Sequence, residues 1–287
     1  MPTSQAKSPV HLRFFHLLRA AFAGWWEDNI PRMGAALAYY TLFALAPVLL
    51  VVIALGGVIF GPEAVRGQVV GEIQGLIGQD GAKAIQDMLE AAYRTGPRLA
   101  VTVGAIITFV LGATAAFLEL QGALNSIWKV TPKSSGSIVR DLLWQRLVSL
   151  GLLLGFTFVL LTALIISAGL AALSSWLGTR FPGGPVFWRL GDIVLSFGVI
   201  TTVFGLLYKV MPDTDVPWRD AWMGALLTAV LFGVGKSLIG LYLGASAITS
   251  TYGAAGSVIV VLVWVYYSSQ IVLFGAEFTK ACGDPSS

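Results

Sequence analysis

Three residues pose the chemical question in this chain: Glu119, Lys236 and Glu277 are ionisable groups within or at the ends of long apolar runs. A charge at the centre of a bilayer costs about 3 kcal/mol or more, so such groups turn towards protein, a partner or a water-filled path. Glu119 shares its run with Thr114, Gln121 and Asn125, a polar content that belongs against other helices rather than lipid. Tyr39 and Tyr40 in an earlier run, and Tyr266, Ser269 and Gln270 in the last, are expected to border the same interior. Lys236 follows Ala221 by about 15 residues, or roughly 22 Å of helix, which puts it in the far half of its run. Its expected partner is Asp192. Together Glu119, Asn125, Lys236, Asp192, Tyr39, Tyr40, Tyr266, Ser269 and Gln270 form a candidate polar pathway, with Lys236 available to an anion. Helix packing, or a lysine stem reaching outward to the interface, explains the same residues without a pathway.

Other chemistry finds few residues to use. Cys282 is the single cysteine and His11 and His16 the two histidines, so no intrachain disulfide, no cysteine-based zinc site and no histidine-rich metal cluster is available. The sequence has no Walker A loop, GxSxG, HExxH or CxxC. The glycine-rich Tyr252-Gly253-Ala254-Ala255-Gly256 is too generic to imply phosphate binding. The expectation is a protein without cofactor, metal or catalytic residues, and not an enzyme.

The elements that must position these groups are membrane spans. From Tyr252 to Ala276 the chain runs about 25 residues without Asp, Glu, Lys, Arg or His, enough helix to cross a bilayer. Across 287 residues, 56% are hydrophobic and 11% charged, with mean hydropathy +0.79. Soluble domains carry about 25% charge, so lipid rather than water must cover much of this surface. In that setting the net charge of +3 and pI of 9.0 concern orientation rather than nucleic acid.

Six spans are expected, at 35–60, 99–127, 147–173, 190–211, 221–244 and 253–276, within one integral membrane domain covering 1–287. Prolines such as Pro31, Pro62, Pro132 and Pro212 punctuate their ends, and Pro47 falls inside the first. If the N-terminus is cytoplasmic, Lys7, Arg13, Arg19, Arg32, Lys129, Lys133, Arg140, Arg146, Lys209, Arg219 and Lys280 lie inside. Arg66, Lys83, Arg94, Arg98, Arg180 and Arg189 lie outside, and the excess inside favours two cytoplasmic termini. Ahead of the first span, Leu12, Phe15, Leu18 and Phe22 recur at helical spacing among Arg13, His16 and Arg19. That pattern reads as an amphipathic helix on the membrane, not a signal peptide, broken at Asn29, Ile30 and Pro31. The external loop, 61–98, shows two amphipathic stretches with a break at Gly78 to Gly81, a candidate lid. The fold class is therefore all-α: a six-helix transmembrane bundle with an N-terminal amphipathic helix and a helical first external loop.

Three segments in order carry a resemblance: Ala35-Ala36-Leu37-Ala38-Tyr39-Tyr40 to Ala46-Pro47, Ala123-Leu124-Asn125-Ser126-Ile127-Trp128, and Tyr252-Gly253-Ala254-Ala255-Gly256 through Trp264 to Gly275-Ala276-Glu277. The chain resembles the YihY/BrkB family of bacterial inner-membrane proteins over nearly its whole length. That resemblance implies a multi-pass protein of the bacterial cytoplasmic membrane and marks Pro47, Tyr252, Gly253, Gly256, Trp264, Gly275 and Glu277 as family positions. The family has been labelled as virulence factors and formerly as ribonuclease BN. Ribonuclease activity is disfavoured here, because nothing outside the bilayer would hold the metals that hydrolysis needs. The leading expectation is a permease or exporter of a small polar or anionic solute or a lipid-related compound. The alternative is a structural or regulatory inner-membrane protein without a transport cycle. The expected partners are the lipid bilayer and the transported solute, with no nucleic acid.

Overall fold

The computed structural model describes residues 10–94, 99–130, 184–245 and 254–284. Those residues are helical, with seven helices among them: α1 (Val10–Glu27), α2 (Ile30–Phe60), α3 (Pro62–Arg94), α4 (Leu99–Ile127), α5 (Gly184–Val210), α6 (Trp218–Ala245) and α7 (Ala254–Gly283). Among the described residues, three segments are long and apolar enough to cross a membrane: Ile193–Val210, Trp218–Ile239 and Val258–Gly283. The expected span at 147–173 lies outside the described residues, as do Tyr252 and Gly253.

The corner between α1 and α2 forms where the sequence places its break. Asn29 adopts a left-handed conformation, φ 54°, that a short polar side chain tolerates, and α2 restarts at Ile30 with Pro31 in its first turn. α1 then packs on α7: Leu17 and Ala21 are buried with Phe278 and Ala281, while Phe15, Phe22 and Trp26 stay exposed.

α3 departs from a simple rod. Arg66 Nη2 lies 3.2 Å from Glu90 Oε1, 24 residues away along the same element. A straight helix would separate those positions by about 36 Å, so α3 turns back on itself between them. The interval contains Gly78 to Gly81. Val65, Ile85 and Leu89 from its two arms join Ala38, Ile53, Val261 and Val265 in one apolar cluster, which lays the hairpin along α2 and α7.

The remaining helices alternate in direction. α2 and α6 begin, and α4, α5 and α7 end, at one shared end, where Asp28 meets Lys129 and Lys280 and where Asn125 meets Asp213. Within the helices, hydroxyls bond back to carbonyls four residues earlier: Thr202 to Gly198, Thr228 to Gly224, Ser269 to Val265 and Thr279 to Gly275. Such bonds satisfy a polar group without water, which an apolar surround requires.

α6 and α7 approach most closely at two glycines. A Cβ on Gly275 would collide with the Thr228 and Tyr208 hydroxyls, and one on Gly224 with the Thr279 hydroxyl. Tyr208, fully buried, places its hydroxyl 2.8 Å from Thr228 Oγ1 and 2.8 Å from the Val272 carbonyl. Without a side chain at Gly275, α5, α6 and α7 meet through this polar junction.

Candidate functional site

Two neighbouring regions of the bundle carry functional interest. The first is a cavity of about 440 Å³ between α2, α4, α5 and α7. Leu37, Ala44, Phe117, Leu120, Leu207 and Val272 dominate its walls, and Thr41, Ser268 and Ser269 supply hydroxyls. Among the described residues, no charged side chain lines it. Since the Ser269 hydroxyl already bonds to the Val265 carbonyl at 2.9 Å, the cavity suits apolar groups better than ions.

The second is the charged end. Asp28, at the α1–α2 corner, accepts from Lys129 after α4 and from Lys280 Nζ on α7 at 3.2 Å. Lys280 also lies 3.4 Å from Glu277 Oε2. Glu277 is only 2% exposed, and its Oε1 has no hydrogen-bond partner among the described residues. Gly24 makes this burial possible, because a Cβ there would press into the Glu277 carboxyl. Burial works against the Asp28 charge, but the hydrogen bond from Lys129, the neighbouring Glu277 carboxyl and the Lys280 charge outweigh it and hold Asp28 below the ordinary aspartate range. The hydrogen bond to Asp28 in turn raises Lys129 above its ordinary value. Beside this cluster lies a pocket of about 400 Å³ between α1 and α7, bordered by His16, Glu27, Glu277, Lys280 and Asp284.

The structure separates the residues that sequence spacing grouped together. Ser269 and Trp264 border the apolar cavity, with Trp264 edge-on to Phe232 at 6.1 Å. Glu119 is half-buried beside Phe117 and Leu120 but does not line it. Asn125 sits at the charged end: its Nδ2 donates to Asp213 Oδ2 at 2.7 Å, its Oδ1 accepts from the Asp213 backbone at 2.8 Å, and Gln121 adds a bond to the same carboxylate. Gln270 packs against Gly34 with both amide atoms buried and, among the described residues, unpartnered. Tyr266 is half-buried against the α3 cluster.

Tyr39, Tyr40 and Lys236 are exposed. Pro47 and Asp192 belong to α2 and α5, but their side chains lie outside those described. Gly256 and Gly275 are buried. Sequence reasoning missed Asp28, Gly24, Gly34 and Asp213. The glycines carried a signal in principle, since each opposes a long polar side chain, but the pairing joins distant segments. Among the described residues no group of three or more His, Cys, Asp or Glu is placed to hold a metal ion.

Comparison with known proteins adds identity. The family model described as Virulence factor BrkB matches residues 21–284. A UPF0761 membrane protein of Pseudomonas paraeruginosa is 35% identical over 87% of this chain and 58% of its own length. A namesake from Alcanivorax borkumensis is 30% identical over 98% of this chain and 64% of its own, and one from Azotobacter vinelandii is 32% identical over 90% and 61%. The chain thus spans about three fifths of the length of these relatives. No solved structure matches it.

Proposed function

The chain belongs to the BrkB family of membrane proteins, and from that premise we propose that it is a permease or exporter whose cargo is a lipid-related compound. The observation that carries this reading is the cavity between α2, α4, α5 and α7, whose walls are apolar and whose few hydroxyls suit an amphipathic molecule. A small anion is the weaker cargo, because Lys236 is exposed and the described lining of the cavity offers no cation. In this reading the chain crosses the bacterial cytoplasmic membrane six times, α1 lies in the interface with Phe15, Phe22 and Trp26 towards lipid, and both termini are cytoplasmic. The charged end then faces the cytoplasm. The α3 hairpin lies on the opposite side, packed along α2 and α7. The protein does its work without covalent chemistry.

The test is reconstitution in liposomes, with a fluorescent phospholipid analogue followed between leaflets and a panel of anionic metabolites followed across the membrane. Movement of the lipid analogue above empty vesicles is expected. Flux of anions alone would overturn the cargo, and no movement of either would favour the rival reading, a structural or regulatory membrane protein without a transport cycle.

A further inference from the structure

Glu277 and Asp28 form a pair that ordinary hydrogen-bond accounting leaves incomplete. Lys280 reaches Glu277 Oε2 at 3.4 Å, but Oε1 is buried with no donor in range among the described residues. A buried, ionised carboxylate with an orphaned oxygen is costly. The nearest carboxyl in the cluster is that of Asp28, which shares the Lys280 ammonium with Glu277, at 3.2 Å and 3.4 Å, and already accepts from Lys129. Two carboxyl groups form a hydrogen bond only when one carries a proton, because an ionised carboxylate has nothing to donate.

The surrounding charges do not remove this requirement. α1 and the corner after it contribute His16, Glu27 and Asp28; Lys129 follows α4; α6 contributes Asp220; and α7 contributes Lys280, followed by Asp284. Lys129 is well exposed and directed to Asp28, so Lys280 is the cation that meets Glu277 directly, and it is shared with Asp28.

We propose that Glu277 is a proton-binding site, whose bound proton is donated to the Asp28 carboxylate and fastens the end of α7 to the α1–α2 corner. The proton converts Glu277 from a second acceptor into the donor that Asp28 lacks on that side. Its release leaves two facing carboxylates and one shared lysine, and their repulsion loosens α1 from α7 and opens the pocket between them. Gly24 is the positioning residue: its missing Cβ lets the Glu277 carboxyl occupy the space beside α1. The site is separate from the apolar cavity and stands whether or not the protein transports a lipid.

Infrared difference spectroscopy of the purified protein in nanodiscs reads the proton directly. Between mildly acidic and mildly alkaline pH, the wild type is expected to lose one protonated-carboxyl band, and Glu277→Gln to lack it throughout. Gly24→Ala, which displaces the carboxyl from Asp28, is expected to shift or abolish the band while leaving the helix intact. A titrating band that survives in Glu277→Gln, or an unaltered band in Gly24→Ala, overturns the proposal, as does the absence of any titrating band in the wild type.

Hydrogen exchange supplies a measurement independent of the spectrum. After correction for intrinsic rates, α1 amides of the wild type should lose protection as pH rises. Glu277→Gln, with a permanent donor of the same shape, should hold them protected at both extremes. Equal pH dependence in the two proteins overturns the latch.

Discussion

At one end of the bundle Asp28, Glu277, Lys129 and Lys280 crowd four ionisable groups together, while about 8–14 Å back along α7 from Glu277, Val272, Ser269 and Ser268 border a cavity with no charge among its described lining residues. The same helices form both regions, so the difference comes from what each stretch must exclude. Where α1, α2, α4 and α7 converge, Asp28 is tied to Lys129 from beyond α4 and to Lys280 of α7, and Glu277 meets Lys280 on its own helix. Where α2, α4, α5 and α7 separate, the Ser269 hydroxyl is satisfied within its own helix and space remains. The charged end holds elements together, and the cavity leaves room between them. The two regions should therefore respond in opposite ways to substitution.

The largest effect is expected at the glycine on which both depend. Gly275→Val would drive side-chain atoms into the Thr228 and Tyr208 hydroxyls and force α6 away from α7. A loss of about 3 kcal/mol or more, or failure to yield monodisperse protein, is expected by thermal unfolding in detergent. A variant as stable as the wild type would mean that the α6–α7 contact does not set the position of either region.

Next comes Asp28→Ala, which leaves Lys129 and Lys280 without their shared carboxylate. Lys129 is largely exposed, so solvent screening reduces the loss to about 1–2 kcal/mol, read from the unfolding midpoint. Its pH dependence has a fixed sign. The folded-state value of Asp28 lies below the ordinary 3.8, so its contribution is complete above about pH 4 and disappears as pH falls through the folded value. Asp28→Ala should remove that acid-side loss. A gap between variant and wild type that persists unchanged below the folded value would break the assignment.

Filling the cavity sharpens the comparison from the other side. Ala116→Leu places extra methyl groups into open space rather than against packed neighbours, so stability should stay within about 1 kcal/mol. Movement of the lipid analogue should fall to near the level of empty vesicles. Loss of stability without loss of flux would show that the cavity is a packing gap and not a path.

The helices were legible because apolar run length is a one-dimensional property, and α4 has the bounds its sequence implies, Leu99–Ile127. The reversal in α3 was legible for a similar local reason, since Gly78 to Gly81 interrupt its periodicity. Membership of one wall was not. Tyr39 and Tyr40 are about 100° apart around a helix and cannot both face one cavity, and both are exposed. Glu277 presented the converse difficulty. Its position at the end of an apolar run suggested an interfacial carboxylate, but Lys280 and Asp28, which help to bury it, are 252 residues apart in the chain. Depth along a helix can be counted from sequence, whereas direction depends on partners that only packing supplies.

Lys236 separates depth from direction with the smallest expected effect. It stands far along α6 and is exposed, as are Val234 and Leu238 on a different side of the helix, while Gly235 beside it is buried against Tyr267. A lysine so placed can extend its apolar stem along the helix and carry its ammonium to the interface, so neither region described above depends on it. Lys236→Gln should change stability by less than about 0.5 kcal/mol and leave movement of the lipid analogue unaltered. If the substitution instead abolished flux, the pathway would have to run along the outer surface of α6. The contrast between a charged fastening and an uncharged path would then fail, because a cation outside both would be the one that handles cargo.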